Sequence, residues 1–374
     1  MEIDQAGKTN GQQPLFPTPS STPPPPPPPP QISLSLKRLL TIVNCLLLCL
    51  GNAGGPIIVR IYFLHGGHRQ WLSAWLETAG WPLLLFPLSL SFLYRRRSNP
   101  SAPAVLITPR LILASAFIGL LTGVDDYLYA YGLDFLPVST SAVLIATQLA
   151  FTALFAYFIV RQRFTPYSIN AVALLTVGAA ILAMHASSDR PAGVSVGGYW
   201  KGFVLTLGAA ALYGLVLPLV ELTYSKAGQP VTYTLVMEMQ LVIGFFATAF
   251  STVGMIINKD FQALTREAAN FGLGETKYYL VLSFAAILWQ CFFLGAVGVI
   301  SCVNTLLAGI LIAVFIPMVE VLAVVFLHEN FSIEKGMALV LCLWGLASYS
   351  YGEYREAKEK KEQIASPQVQ TSAV

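Results

Sequence analysis

Charge is what this 374-residue chain has least of: Asp, Glu, Lys and Arg make up 11% of it, against about 25% in soluble domains. Hydrophobic residues make up 55%. A water-soluble fold of this composition would expose extensive apolar surface. Soluble enzymes, nucleic-acid binders and secreted disulfide scaffolds are therefore excluded together. Cysteine is scarce too. Cys45, Cys49, Cys291, Cys302 and Cys342 all fall in or beside apolar stretches, where they read as small packing residues rather than disulfides or metal ligands. Of the four histidines, His65 and His68 form an H-x-x-H without further ligands nearby, so no metal site is expected. HExxH, P-loop and GxSxG motifs are missing. The net charge of +3 is too small to demand an anionic partner.

Residues 1–35 are polar and carry an unbroken run, Pro23–Pro30. Such a run forms a stiff polyproline II rod of roughly 25 Å. The stretch has neither the apolar core of a signal peptide nor the Arg content of a transit peptide. It reads as a disordered cytosolic tail, with a binding module for Pro-rich ligands as the alternative partner.

From Leu39 onward, apolar segments recur at the ~20-residue length that a bilayer core requires. Ten are expected: 39–64, 72–94, 111–132, 137–160, 167–186, 202–224, 231–257, 279–301, 303–327 and 336–352. Runs of this length span as helices, so the expected fold is an all-α integral membrane protein. Lys and Arg placement puts both termini inside the cell: 14 of the 22 bases then lie on the cytosolic side. Phe164-Thr165 and Gly178 recur as Phe331-Ser332 and Gly345, at a common offset of 167 residues. Residues 36–186 and 187–352 would then be two five-helix halves of opposite polarity, an inverted repeat of the kind secondary transporters use. Residues 353–374 form a charged, disordered cytosolic tail.

A charge at the bilayer centre costs at least ~2.5–3.5 kcal/mol. Among the bases only Arg60 lies within the expected spans, against Glu77, Asp125, Asp126, Glu221, Glu238 and Glu320. Phosphorylated cargo would need fixed cations in its pocket. An acidic interior favours a neutral or cationic solute, with a proton gradient as energy source and no other cofactor. Arg60 and Glu77 sit at similar depth near the outer ends of spans 1 and 2, as a structural ion pair or an outer gate. Glu221 and Glu238 follow them at a shared offset of 161. Asp125 and Asp126 lie roughly 10 Å below the outer surface. Adjacent carboxyls in a low-dielectric setting resist being charged together, so one of them can take up and release a proton. Hydrogen bonding between helices is the alternative role. Glu238 and Glu320 are further proton-carrier candidates.

Ser141, Gln148 and Thr152 form one helical stripe, either interhelical glue or a polar cavity wall. An amide suits a heterocycle because it donates and accepts side by side. Gln290 and Asn52 are further amides at suitable depth, and Asn304 joins them if its span boundary shifts. Trp289 and Tyr129 can stack on a flat ring, which contributes about 1–3 kcal/mol per base. Asn330-Phe331-Ser332 is a glycosylation sequon, but it abuts span 9, where the acceptor is hard to reach.

The stretches YFLHGGHR (62–69), TAGWP (78–82), GVDDYLYAYGLDFLPVSTSAVLIATQLAFT (123–152), LYGLVLPLVE (212–221), NKDF (258–261), WQCFFLGAVGVI (289–300) and EVLAVV (320–325) resemble the plant purine permease family of the drug/metabolite transporter superfamily. The resemblance implies ten spans and import of purine bases, cytokinins, purine alkaloids or vitamin B6 compounds, coupled to protons. It also implies the plasma membrane, with the tonoplast or endoplasmic reticulum as alternatives. A membrane-embedded enzyme would need a catalytic cluster that the sequence does not offer. A receptor that binds without transport is the remaining competing class.

Overall fold

The computed structural model describes residues 34–159, 161, 165–184, 190–302, 308, 311–312, 315–328 and 331–365. The Pro-rich tail, Asn304, the sequon asparagine Asn330 and the Glu320 side chain lie outside the described residues. Among those described there are helices and connectors but no strand.

In chain order the helices are α1 (Leu34–Leu64), α2 (Gln70–Thr78), α3 (Leu85–Ser98), α4 (Pro109–Phe135), α5 (Val138–Ala146), α6 (Gln148–Ile159) and α7 (Pro166–Met184). They continue as α8 (Val196–Ser225), α9 (Tyr233–Ile257), α10 (Asp260–Asn270), α11 (Glu275–Cys302), α12 (Ile316–Leu327) and α13 (Ile333–Ala365). Seven segments are long and apolar enough to cross a membrane. They are Arg38–Leu64, Gln70–Ser98, Pro109–Phe135, Val138–Ile159, Val196–Ser225, Tyr233–Ile257 and Glu275–Cys302. A shorter apolar stretch is Ile169–Gly178. The chain is an integral membrane protein built from helices.

Two of these segments are broken. In the second, α2 gives way to a short 3-10 turn at Trp81–Leu84 before α3 begins. Pro82 has no N–H to continue the α-helical pattern, and the Leu83 N–H donates to Gly80 instead (3.0 Å). In the fourth, the Thr147 hydroxyl donates to the Leu144 carbonyl (2.6 Å), and so does the Thr147 N–H (3.0 Å). A side chain that competes for a local carbonyl interrupts the helix, and α5 and α6 meet there at an offset.

The principal helix pairings are α1 with α11, α4 with α8 and α9, α6 with α8, and α7 with α13. Smaller contacts join α2 to α4, α9 and α11, and α12 to α1 and α5. Small residues in α1 and α11, among them Gly51, Gly54, Gly295 and Gly298, bring those two backbones close, as in other membrane helix pairs. The largest buried cluster runs along α1, α4, α8 and α11.

Three features differ from the sequence expectation. The tail after Glu353 is not disordered at its start. α13 runs on to Ala365, with Arg355–Glu359 and Lys358–Glu362 pairs one turn apart (3.2 and 3.8 Å), the spacing that supports an exposed helix. A separate amphipathic helix, α10, lies between α9 and α11. Lys335, which falls between the expected spans 9 and 10, is buried, and its Nζ donates to the Ser139 hydroxyl (2.7 Å), tying α13 to α5.

Candidate functional site

A cavity of about 700 Å³, counted to its open mouth, lies among α1, α2, α4, α5, α6, α8, α11 and α12. That size suits a small-molecule site. Its acidic wall is Glu77 from α2 with Asp125 and Asp126 from α4. All three are at least 93% buried, at relative exposures of 2%, 7% and 2%. Glu77 Oε1, Asp125 Oδ1 and Asp126 Oδ2 have no hydrogen-bond partner among the described residues. Among the described lining residues there is no Lys or Arg.

The aromatic wall is Trp289, Phe292 and Phe293 from α11 with Tyr129 from α4 and Tyr213 from α8. Trp289 stands edge-to-face against Tyr129, with centroids 5.7 Å apart and planes at 81°. It makes the same kind of contact with Phe292 at 5.6 Å and 83°. Because Trp289 and Tyr129 are perpendicular, a flat solute lying on one ring meets the other with its edge. Gln148, at the start of α6, and Asn52 from α1 complete the polar lining, with Pro56, Ala142, Ile145, Ala209, Ile312 and Val319 as apolar filling.

Several expected site residues are therefore brought together: Asn52, Asp125, Asp126, Tyr129, Gln148 and Trp289. Others are not. Arg60 and Glu77 do not pair. Arg60 Nη1 donates to the main-chain carbonyls of Leu133 (2.8 Å) and Asp134 (2.9 Å) at the end of α4, whereas Glu77 faces the cavity with the two aspartates. Glu238 also stands apart. Its Oε2 accepts from the N–H groups of Leu106 and Ile107 (2.7 and 2.8 Å), so it anchors the connector before α4. Gln290 turns away from the cavity and packs over Gly80. Ser141 and Thr152, the rest of the expected stripe, are buried outside the lining. Asn52 lines the cavity but is already engaged: its Nδ2 donates to the Ile312 carbonyl (2.9 Å), linking α1 to the stretch before α12.

Glu77 and Tyr213 are the polar cavity residues that sequence reasoning placed elsewhere or missed. Tyr213 had a signal. It lies 161 residues after Asn52, the same offset that relates Arg60 to Glu221.

Away from the cavity, the connector after α1 is clamped to α10. Arg69 Nη1 meets Asp260 Oδ1 (3.0 Å) and its Nε lies 3.5 Å from Glu267 Oε2. The hydroxyls of Tyr62 and Tyr278 donate to Glu267 Oε1 (2.5 and 3.1 Å). Gln70 Nε2 donates to Asp134 Oδ2 (2.8 Å), beside the Arg60 contact. This end of the bundle is held by a connected polar set.

Comparison with known proteins gives the family. The family model for purine nucleobase transmembrane transport matches residues 39–359. Purine permease 3 of Arabidopsis thaliana is 51% identical over 325 residues, which cover 86% of this chain and 93% of that one. Purine permease 2 of the same plant is 47% identical over 344 residues, covering 88% and 96%. One solved crystal structure superposes with a TM-score of 0.50 at 16% identity, over 83% of this chain and 95% of the other; it speaks to the fold alone. This chain belongs to the purine permease family of transmembrane nucleobase transporters.

Proposed function

We propose that the protein carries purine bases and related heterocycles into the cell by proton-coupled alternating access, and that the cavity is its solute site. One observation carries the reading: three buried carboxyls share a cavity with an aromatic wall and, among the described lining residues, no base. N–H groups on the rim of a nitrogen heterocycle can satisfy carboxyl oxygens that are otherwise unpartnered. The flat faces can pack against Tyr129 or Trp289, with Gln148 hydrogen-bonding the heterocycle edge. Neighbouring carboxyls resist being charged together in a low-dielectric site, so a proton bound among Asp125, Asp126 and Glu77 can enter with the solute and leave on the other side. Asn304 and Glu320, near the same wall in sequence, are candidates for a contact and a carrier role.

Alternating access needs two halves that can rock, and the helix packing supports ten spans in an inverted repeat. Exchange α1 with α8, α2 with α9, α4 with α11, α5 and α6 with α12, and α7 with α13. The contact of α1 with α11 then maps onto that of α8 with α4, and the contact of α6 with α8 onto that of α12 with α1. Pro56 in α1 and Pro218 in α8 mark corresponding places in the first helix of each half. The plasma membrane is the proposed location. Other neutral or cationic heterocycles, such as alkaloids or vitamin B6 compounds, are the second reading, favoured by the acidic lining that any such solute would meet.

The test is uptake of labelled adenine by yeast cells expressing the chain, across external pH, with Asp125→Asn, Asp126→Asn and Glu77→Gln. We expect wild-type uptake to rise with an inward proton gradient and to collapse with a protonophore. At least one of the three variants should lose the pH response. Wild-type uptake and pH response in all three would overturn the coupling, and binding without accumulation in liposomes would favour a receptor.

A further inference from the structure

The cavity's polar groups differ in how far they constrain a solute. Asn52, Gln148, Tyr129 and Tyr213 can each donate or accept. Glu77, Asp125 and Asp126 accept when ionised and donate when protonated. Trp289 alone among the described lining residues can donate but never accept. The residue is 6% exposed, and Nε1 has no acceptor among the described residues. A buried indole N–H ordinarily finds a partner, and leaving one unmet is destabilising.

The ring is also held in place. A Cβ built on Gly55 would stand 3.0 Å from Trp289 Cε2, the atom bonded to Nε1. The backbone of α1 is thus a seat against the face of the indole at its ring fusion, where Cδ2 and Cζ2 lie 3.2 Å away. Tyr129 and Phe292 meet the ring edge-to-face from other sides. Groups with rotating hydroxyls or exchangeable protons adapt to whatever the solute offers, whereas a seated indole N–H does not.

We infer that Trp289 is a specificity-determining residue that requires a hydrogen-bond acceptor, an unprotonated ring nitrogen or a carbonyl oxygen, on the rim of the transported heterocycle. The inference rests on the cavity being the solute site. Stacking becomes the task of Tyr129, whose plane is perpendicular to the indole. A solute lying flat on Tyr129 presents its rim to Trp289, where in-plane acceptors lie.

The experiment is competition against labelled adenine uptake by 1-deaza-, 3-deaza- and 7-deazaadenine, each of which replaces one ring nitrogen by CH. In the wild type, one of the three should compete about ten-fold more weakly than adenine, the loss of one buried hydrogen bond. In Trp289→Phe, which keeps an aromatic ring and removes the N–H, that gap should close. The same gap in both proteins would overturn the assignment. So would equal competition by all three analogues in the wild type, which needs no variant and stands even where Trp289→Phe fails to reach the membrane. Absence of adenine uptake by the wild type would instead overturn the transport reading.

Discussion

Arg60 reaches the main-chain carbonyl of Asp134 at 2.9 Å, across the interface between α1 and α4. With the carbonyl of Leu133 at 2.8 Å, it fixes the end of α4 that follows the two cavity aspartates by about two turns. The single base of the expected spans is therefore a fastener of helix ends. The negative character of the cavity is left without a counter-ion from this residue.

That arrangement sets an expectation for Arg60 and Glu77 as a pair. Arg60→Met should destabilise the protein strongly, by about 2–3 kcal/mol, because two carbonyls lose a charged donor. Glu77→Gln should act independently of it. A double-mutant cycle on thermal stability in detergent should give a coupling within about 0.5 kcal/mol, the range for residues without a shared partner. A coupling well above 1 kcal/mol would restore the gate pair.

The position of α6, and with it Gln148, depends on Gly214 of α8. A Cβ there would lie 2.7 Å from Phe151 Cβ, 3.0 Å from the Thr152 nitrogen and 3.1 Å from the Gln148 carbonyl oxygen. Backbone atoms cannot give way as a flexible side chain can. Gly214→Ala should cost about 1–3 kcal/mol and lower solute affinity by displacing Gln148. Gly208→Ala is the control on the same helix, since its Cβ would meet only Leu128 Cδ1 at 3.8 Å. Alanine there should be neutral or stabilising by about 0.5–1 kcal/mol. Equal loss in both variants would mean that the contact at α6 is not what matters.

Asp260 supplies a prediction with a sign. Its carboxyl is fully buried in the clamp with Arg69. Burial pushes its pKa above the ordinary carboxylate value, and the attraction of Arg69 pulls it down without cancelling the rise. The folded chain then holds this proton more tightly than the unfolded chain does. The stability contributed by the group is fully present at low pH and declines as pH rises from the ordinary carboxylate range through the raised value. Asp260→Asn removes the titration. The melting temperature of the wild type minus that of the variant should fall across that window and stay flat above it. A difference that grows with pH would mean that the Arg69 attraction outweighs burial.

Much of the cavity's lining was legible in the chain. Asp125, Asp126 and Asn52, all of which line the cavity, were read as lying within the membrane from position alone, because rise along a helix is a fixed 1.5 Å per residue. Azimuth is different. Successive side chains turn by about 100°, so a face extrapolated through an interruption comes out wrong. The stripe Ser141–Gln148–Thr152 was drawn on an unbroken helix. Thr147 breaks it, and the lining became Ala142, Ile145 and Gln148. Gln290 was sound in depth and wrong in direction, since it follows Trp289 by one residue and is carried round to Gly80.

The amino-acid sequence by itself determined that this is a helical membrane protein, that its buried charges are acids in excess, and that it resembles purine permeases. Those properties follow from composition, run length and local order, which no folding event can alter. Tertiary structure alone decided that Glu77 joins Asp125 and Asp126, that Arg60 and Glu238 serve the backbone, and that Trp289 stands perpendicular to Tyr129. Each depends on which helix lies beside which, and at what rotation. Contacts between distant residues across packed helices settle that, and no local pattern encodes it.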